Sequence, residues 1–161
     1  MADIFTAAEV IDMGIEKEKK RRDFYGYVAD NFEDKEIKGL FSRLRDWEDT
    51  HIKKFTDIRD STQTYEIEEA YHGELSAYMK ATVDDALYGQ VSKEWFTQNI
   101  KEPLQAIRYG MGFEKDAILF FNELAAHMTG PHKEKIKELV EEEKRHLTYL
   151  SELMKKYESF L

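Results

Sequence analysis

Cysteine is absent from the 161 residues, which removes disulfides, thiolate zinc sites, iron–sulfur clusters and cysteine nucleophiles together. Any metal chemistry must then be built from carboxylates and imidazoles, a donor set that suits iron, manganese or zinc. Proline occurs only twice, so helices can run long without interruption. Basic residues are outnumbered 24 to 33, for a net charge of −9. A chain of that sign is repelled by phosphate backbones and anionic lipid, so no nucleic-acid or membrane partner is expected. No stretch of about 18 apolar residues occurs, and the opening MADIFTAAEV has neither a basic n-region nor an apolar h-region. The expectation is a soluble cytoplasmic protein of one domain, 1–161, large enough to bury polar groups at its centre.

What is present is helix-forming: Glu, Lys, Leu and Ala dominate and β-branched runs are few. An all-α chain with four long helices is expected, at about 7–31, 35–59, 103–129 and 132–157. Thr6 and Glu9 have the spacing of a capping box for the first, and Asp34 suits the cap of the second. Pro103 fits the first turn of the third, and Gly130-Pro131 separates the third from the fourth. Short joints make each pair antiparallel. Residues 60–102 read as a helical crossover between helices 2 and 3. Its apolar content, including Tyr65, Tyr71, Tyr78, Trp95 and Phe96, exceeds what a plain linker needs.

Each apolar stripe is broken at its middle by a group that belongs in water. Glu18 stands seven residues from both Ile11 and Tyr25, and Glu114 seven from both Ile107 and Phe121, so both carboxylates point inward. The second helix carries Glu48-x-x-His51 and the fourth Glu143-x-x-His146. Positions three apart share a helix face, so each pair presents a carboxylate oxygen and an imidazole nitrogen to one ion. Thirty residues separate Glu18 from Glu48 and twenty-nine separate Glu114 from Glu143, as in two similar helix hairpins related by a pseudo-two-fold axis. One Glu from each of two helices plus a Glu-x-x-His from each of the other two is a two-metal ligand set.

Four carboxylates balance two divalent ions. A rise to two trivalent ions leaves two positive charges, which a bridging oxide or hydroxide would neutralise. Solvated side chains are the competing explanation. Four carboxylates and two imidazoles buried without metal would, however, cost more than one domain's marginal stability allows. Glu16 competes with Glu18 for the first helix but shares a face with Asp12, Lys19 and Lys20. Tyr25 is either an ordinary core tyrosine or a proton or hydrogen-bond donor to the site. Of Glu141-Glu142-Glu143 only the last is expected inside. His127 and His132 fall near helix ends, and Glu69-x-x-His72 has no partner carboxylate thirty residues earlier.

The segment from Glu18 to Tyr25 followed by Glu48-Asp-Thr-His51, repeated as Glu114 to Phe121 followed by Glu143-Lys-Arg-His146, resembles the rubrerythrin-like branch of the ferritin-like proteins over nearly the whole chain. That resemblance implies a ferritin-like four-helix bundle with a di-iron site that reacts with peroxide or dioxygen, often in a homodimer. Three features depart from it. Without cysteine there is no rubredoxin domain, so electrons must come from a separate donor. Phe121 replaces a second tyrosine. Ala117 and Ile118 leave no seventh carboxylate after Glu114. Ferroxidase or iron-storage activity is the alternative expectation, and a zinc-filled, non-catalytic bundle a further one.

Overall fold

The computed structural model describes residues 7–62, 77–78, 81 and 90–159. Five helices occur among them: α1 (Ala7–Asn31), α2 (Lys35–Ser61), α3 (Lys93–Asn99), α4 (Pro103–Ala126) and α5 (Gly130–Glu158). No strand is present among the described residues, and none of their helices is long and apolar enough to cross a membrane.

Asp34 caps α2 by accepting the N–H groups of Glu36 and Ile37 at 2.9 and 3.1 Å, which satisfies donors that have no partner inside the helix. The expected capping box at the start of α1 includes Thr6, outside the described residues. So do Tyr65, Tyr71, Glu69 and His72. α4 opens on Pro103 as expected but ends at Ala126 rather than 129, because the His127 N–H turns back to Leu124 O and Ala125 O. α5 begins at Gly130, two residues earlier than expected. Gly130 has φ +68°, a left-handed conformation available to glycine at little cost, directly before Pro131. α2 runs two residues beyond Arg59, to Ser61.

Ion pairs show the directions of the helices. Arg59–Asp12 and Arg22–Asp49 make α1 and α2 antiparallel; His51–Glu142 and Lys156–Glu36 do the same for α2 and α5. Lys17–Asp116 and Tyr25–Glu114 set α1 against α4, also antiparallel. α2 and α4 therefore run parallel, and the chain between them must return along a helix of about 40 Å. This explains the long crossover between two hairpins with short joints. Its last part, α3, packs Phe96 edge-on against Phe24 of α1, ring centroids 5.7 Å apart.

The core is two apolar clusters. One holds Ile11, Ile15, Phe55, Phe121, Leu124, Ile136 and Val140; the other holds Phe24, Tyr25, Phe41, Leu44, Ile107, Phe113 and Leu150. A glycine in each hairpin lets a ring from the other lie against its helix. A Cβ on Gly14 would meet Phe121 at 2.8 Å, and one on Gly110 would meet Tyr25 at 3.4 Å. Both glycines stand four residues before the single inward carboxylate of their helix, Glu18 or Glu114. The two glycines thus flank the polar layer, one on α1 and one on α4.

Candidate metal centre

Among the described residues nine buried ones are polar, and seven of them belong to this layer: Glu18, Arg21, Glu48, His51, Glu114, Glu143 and His146, none more than 4% exposed. The structure brings together all six residues singled out by helical spacing. Glu16, the competitor of Glu18, is exposed and pairs with Lys19.

The two Glu-x-x-His motifs face each other across α2 and α5, with the imidazoles stacked at 5.3 Å and 14°. Glu143 lies between them, Oε1 3.0 Å from His51 Nδ1 and Oε2 3.0 Å from His146 Nδ1. Glu48 spans the same gap, Oε2 3.9 Å from His51 Nδ1 and Oε1 3.8 Å from His146 Nδ1. Glu18 Oε2 is 3.8 Å from His51 Nδ1, while Glu114 Oε1 is 3.9 Å from His146 Nδ1. Two donor sets result. One joins His51, Glu18 and one oxygen each of Glu48 and Glu143; the other joins His146, Glu114 and the opposite oxygens. Ligand atoms of Glu48, His51, Glu143 and His146 all fall within 4.8 Å of one another.

The carboxylates fit a cation by what they lack. Glu18 Oε2, Glu48 Oε1 and Glu114 Oε2 are buried without a hydrogen-bond partner, an arrangement that costs free energy unless a positive ion supplies the missing interaction. Burial raises the carboxyl pKa values of Glu48 and Glu114 well above the ordinary range, with the charge of Glu143 adding to each. Burial drives His146 down to about 4, so its ring is neutral at pH 7 with a nitrogen lone pair to offer. His51 is pushed the other way: burial opposes its charge, but Glu143 and the hydrogen bonds of Glu142, Glu143 and Glu18 raise it far above the ordinary value.

Three contacts around this core were not legible as site features. Arg21, inside the basic run Lys19–Arg22, is fully buried. It donates through Nη2 to Glu18 Oε1 and lies 3.5 Å from Glu48 Oε2 and from Glu143 Oε1. Its guanidinium changes the charge sum: two divalent ions no longer neutralise the site but leave one positive charge. The signal was available, since Arg21 stands three residues after Glu18 and shares its face. Glu142, expected outside, is half-buried and bonds His51 Nε2 at 2.7 Å, holding the ring with Nδ1 inward. Trp47 stacks on His146 at 4.9 Å and 7°. Tyr25 directs its hydroxyl into the layer, donating to Glu114 Oε1 at 2.5 Å. Ala117 is buried where a seventh carboxylate would stand. His127 pairs with Glu123 and His132 with Ser61, both away from the layer.

A surface cavity of about 340 Å³ reaches the outer edge of His146, lined also by Trp47, Lys54, Glu142, Arg145 and Tyr149.

Fold and site together define an all-α bundle of ferritin-like fold with a buried cluster of carboxylates and histidines able to hold metal. The rubrerythrin family model matches residues 9–154, and the chain belongs to the rubrerythrin family. Among solved structures it is similar to a Thermotoga maritima protein classed as a ferritin-like diiron-carboxylate protein, at 20% identity and a TM-score of 0.66, covering 98% of this chain and 99% of that one. A likeness at that identity bears on the fold alone. A search of curated proteins finds no significant match.

Proposed function

We propose that the protein holds two iron ions, one on each donor set, and reduces hydrogen peroxide or dioxygen with electrons from an external donor. The observation that supports this most directly is the placement of Glu48 and Glu143, each between His51 and His146 with one oxygen toward each ring. A carboxylate so placed can be shared by two cations. Manganese or zinc fit the same donors.

Bound iron would supply two electrons, one from each ferrous ion becoming ferric. The overall reaction then balances: one hydrogen peroxide takes two electrons and two protons and leaves as two waters, and the donor, a separate protein or small molecule, restores the electrons. The residues around the cluster divide the remaining tasks. Glu142 orients His51 from outside through its hydrogen bond, while the Trp47 indole fixes the plane of His146. Burial, with the charges of Glu114 and Glu48, holds the Tyr25 hydroxyl protonated, so it keeps a proton against Glu114 at the buried edge of the site. The acidic composition and the family resemblance support a cytoplasmic homodimer as the working unit.

The reading is tested by loading the protein anaerobically with two equivalents of ferrous iron and adding peroxide. One peroxide should be consumed per two irons, with a rise in near-ultraviolet absorption. Protein that stays ferrous under excess peroxide would rule the reaction out. A large closed shell in light scattering would move the reading to iron storage, and tightly retained zinc without oxygen reactivity to a structural bundle.

A further inference from the structure

The two donor sets are matched in residue type but not in what stands beside them. Arg21 Nη2 contacts Glu18 Oε1, Glu48 Oε2 and Glu143 Oε1. The Glu48 and Glu143 oxygens are those nearer His51, and Glu18 belongs to the same donor set. The guanidinium therefore takes up the interactions that a cation on the His51 side would use. Ala117, the corresponding residue of the other hairpin, carries no charge and is buried in the apolar cluster with Phe120 and Phe121.

An arginine inside a protein keeps its proton. Four carboxylates and one guanidinium leave three negative charges when all are ionised. A first divalent ion reduces this to one, whereas a second turns the buried site positive. The Arg21 guanidinium already donates to Glu18 Oε1 with both side chains fully buried, so the Glu18–Arg21 pair is formed before any ion is bound. Glu114 has no cationic side chain in hydrogen-bond contact: its Oε1 accepts from the neutral Tyr25 hydroxyl, and its Oε2 is left without a hydrogen bond.

From these contacts we infer that Arg21 makes the two cation positions unequal: the Glu114–His146 position fills first and tightly, and the Glu18–His51 position fills only once Arg21 has left its three carboxylate contacts. Arg21 acts as a positioning residue, setting the order and spacing of metal loading. The inference rests on the two-position reading above, and it separates this chain from a site whose two halves would load together.

Cobalt(II) serves as the probe, with binding followed by calorimetry and by the visible absorption of the bound ion. Wild type should take up two ions in two steps whose dissociation constants differ by about a hundredfold, the scale on which neighbouring groups tune metal affinity. Arg21→Leu should tighten the second step to within about tenfold of the first, and Arg21→Lys, which keeps a cation, should preserve the separation. His146→Ala should abolish the tight step while His51→Ala retains it, an asymmetry that a merely structural arginine would not produce. If Arg21→Leu does not fold by circular dichroism, the wild-type isotherm and the two histidine variants decide. A single two-ion step in wild type, an unchanged second step in folded Arg21→Leu, or loss of the tight step in His51→Ala overturns the inference while leaving the two-metal reading in place. Wild type that binds no cobalt overturns both.

Discussion

The α1–α2 hairpin and the α4–α5 hairpin present the same motif to each other, yet almost every group that touches the motif differs. Glu18, Glu48 and His51 correspond to Glu114, Glu143 and His146. Around them Arg21 corresponds to Ala117, Tyr25 to Phe121, and Trp47 to Glu142. The residue preceding each Glu-x-x-His reaches across to the histidine of the opposite hairpin, as an indole stacked on His146 in one direction and a carboxylate bonded to His51 in the other. Behind the single inward glutamates the first hairpin thus places a positive charge and a hydroxyl, Arg21 and Tyr25, where the second places the apolar Ala117 and Phe121. Ligand type can be symmetric while electrostatics are not, and it is the latter that distinguishes two chemically similar metal positions.

Removing the charge should break the comparison most severely. In chelated, metal-free protein, Arg21→Leu leaves Glu18, Glu48 and Glu143 buried without their shared cation. Loss of one partner from a buried ionic cluster costs about 3–5 kcal/mol, or roughly 10 °C in melting temperature for a chain of this size. Differential scanning calorimetry with chelator should show the drop, and saturating metal should narrow it, because the ion replaces the lost charge. A drop of equal size with and without metal would mean that Arg21 acts through packing alone.

The paired glycines provide the next comparison. Alanine in a helix interior is ordinarily worth about 1 kcal/mol over glycine, but at Gly14 a Cβ would lie 2.8 Å from Phe121 Cε1 and 3.0 Å from Phe120 Cε1. Phe121 cannot yield freely, since it is stacked on Phe55 at 4.1 Å. Overpacking of about 1–3 kcal/mol should outweigh the propensity gain, so Gly14→Ala lowers stability. At Gly110 the nearest atom is Leu150 Cδ1 at 3.2 Å, the end of a flexible side chain, and Gly110→Ala should be milder. Urea denaturation of both variants checks the order. Equal losses would show that the two helix contacts are interchangeable after all.

Tyr25→Phe makes the hairpins alike at one more position. The hydroxyl donates to Glu114 Oε1, and deleting one partner of a buried hydrogen bond costs about 1–2 kcal/mol. Chemical denaturation reads that loss. If the hydroxyl also holds a proton for peroxide reduction, the variant should take up iron with unchanged stoichiometry and react more slowly in stopped-flow mixing. An unchanged rate would leave Tyr25 a core residue.

Helical spacing alone located the six candidate ligands, because a charged residue seven places from apolar neighbours on both sides contradicts the stripe it sits in. The same reading passed over Arg21, since in Lys19-Lys20-Arg21-Arg22 a basic residue looks like one more solvated side chain. Its spacing of three from Glu18 was the available signal, and the fold bears it out: Arg21 turns inward while Arg22 pairs with Asp49 at the surface. Glu142 was hidden in the same way within three consecutive glutamates. Trp47 could not be assigned to His146 from sequence at all, as the contact joins residues of different hairpins whose relative rotation no local pattern specifies. Helix ends depended on single backbone groups: Asp34 was legible because a carboxylate cap has a sequence signature, whereas the end of α4 at Ala126 is set by where the His127 N–H points.

That cap gives the smallest expected effect and contrasts the two hairpin joints, one held by a titrating side chain and the other turned by Gly130 at positive φ. The Ile37 N–H, with that of Glu36, lowers the Asp34 pKa from its ordinary value. A carboxylate whose folded pKa is depressed stabilises the native state above its unfolded pKa, about 3.9, and loses that contribution as pH falls through the lower folded value. Asp34→Asn keeps an oxygen that accepts the same N–H groups but does not titrate. At pH 7 the variant should melt within a degree or two of wild type, and between about pH 5 and pH 2 its stability should fall less steeply. Melting curves across that range would show it. Parallel pH profiles would place the acid sensitivity elsewhere in the chain, and the two joints would then differ in geometry but not in response to acid.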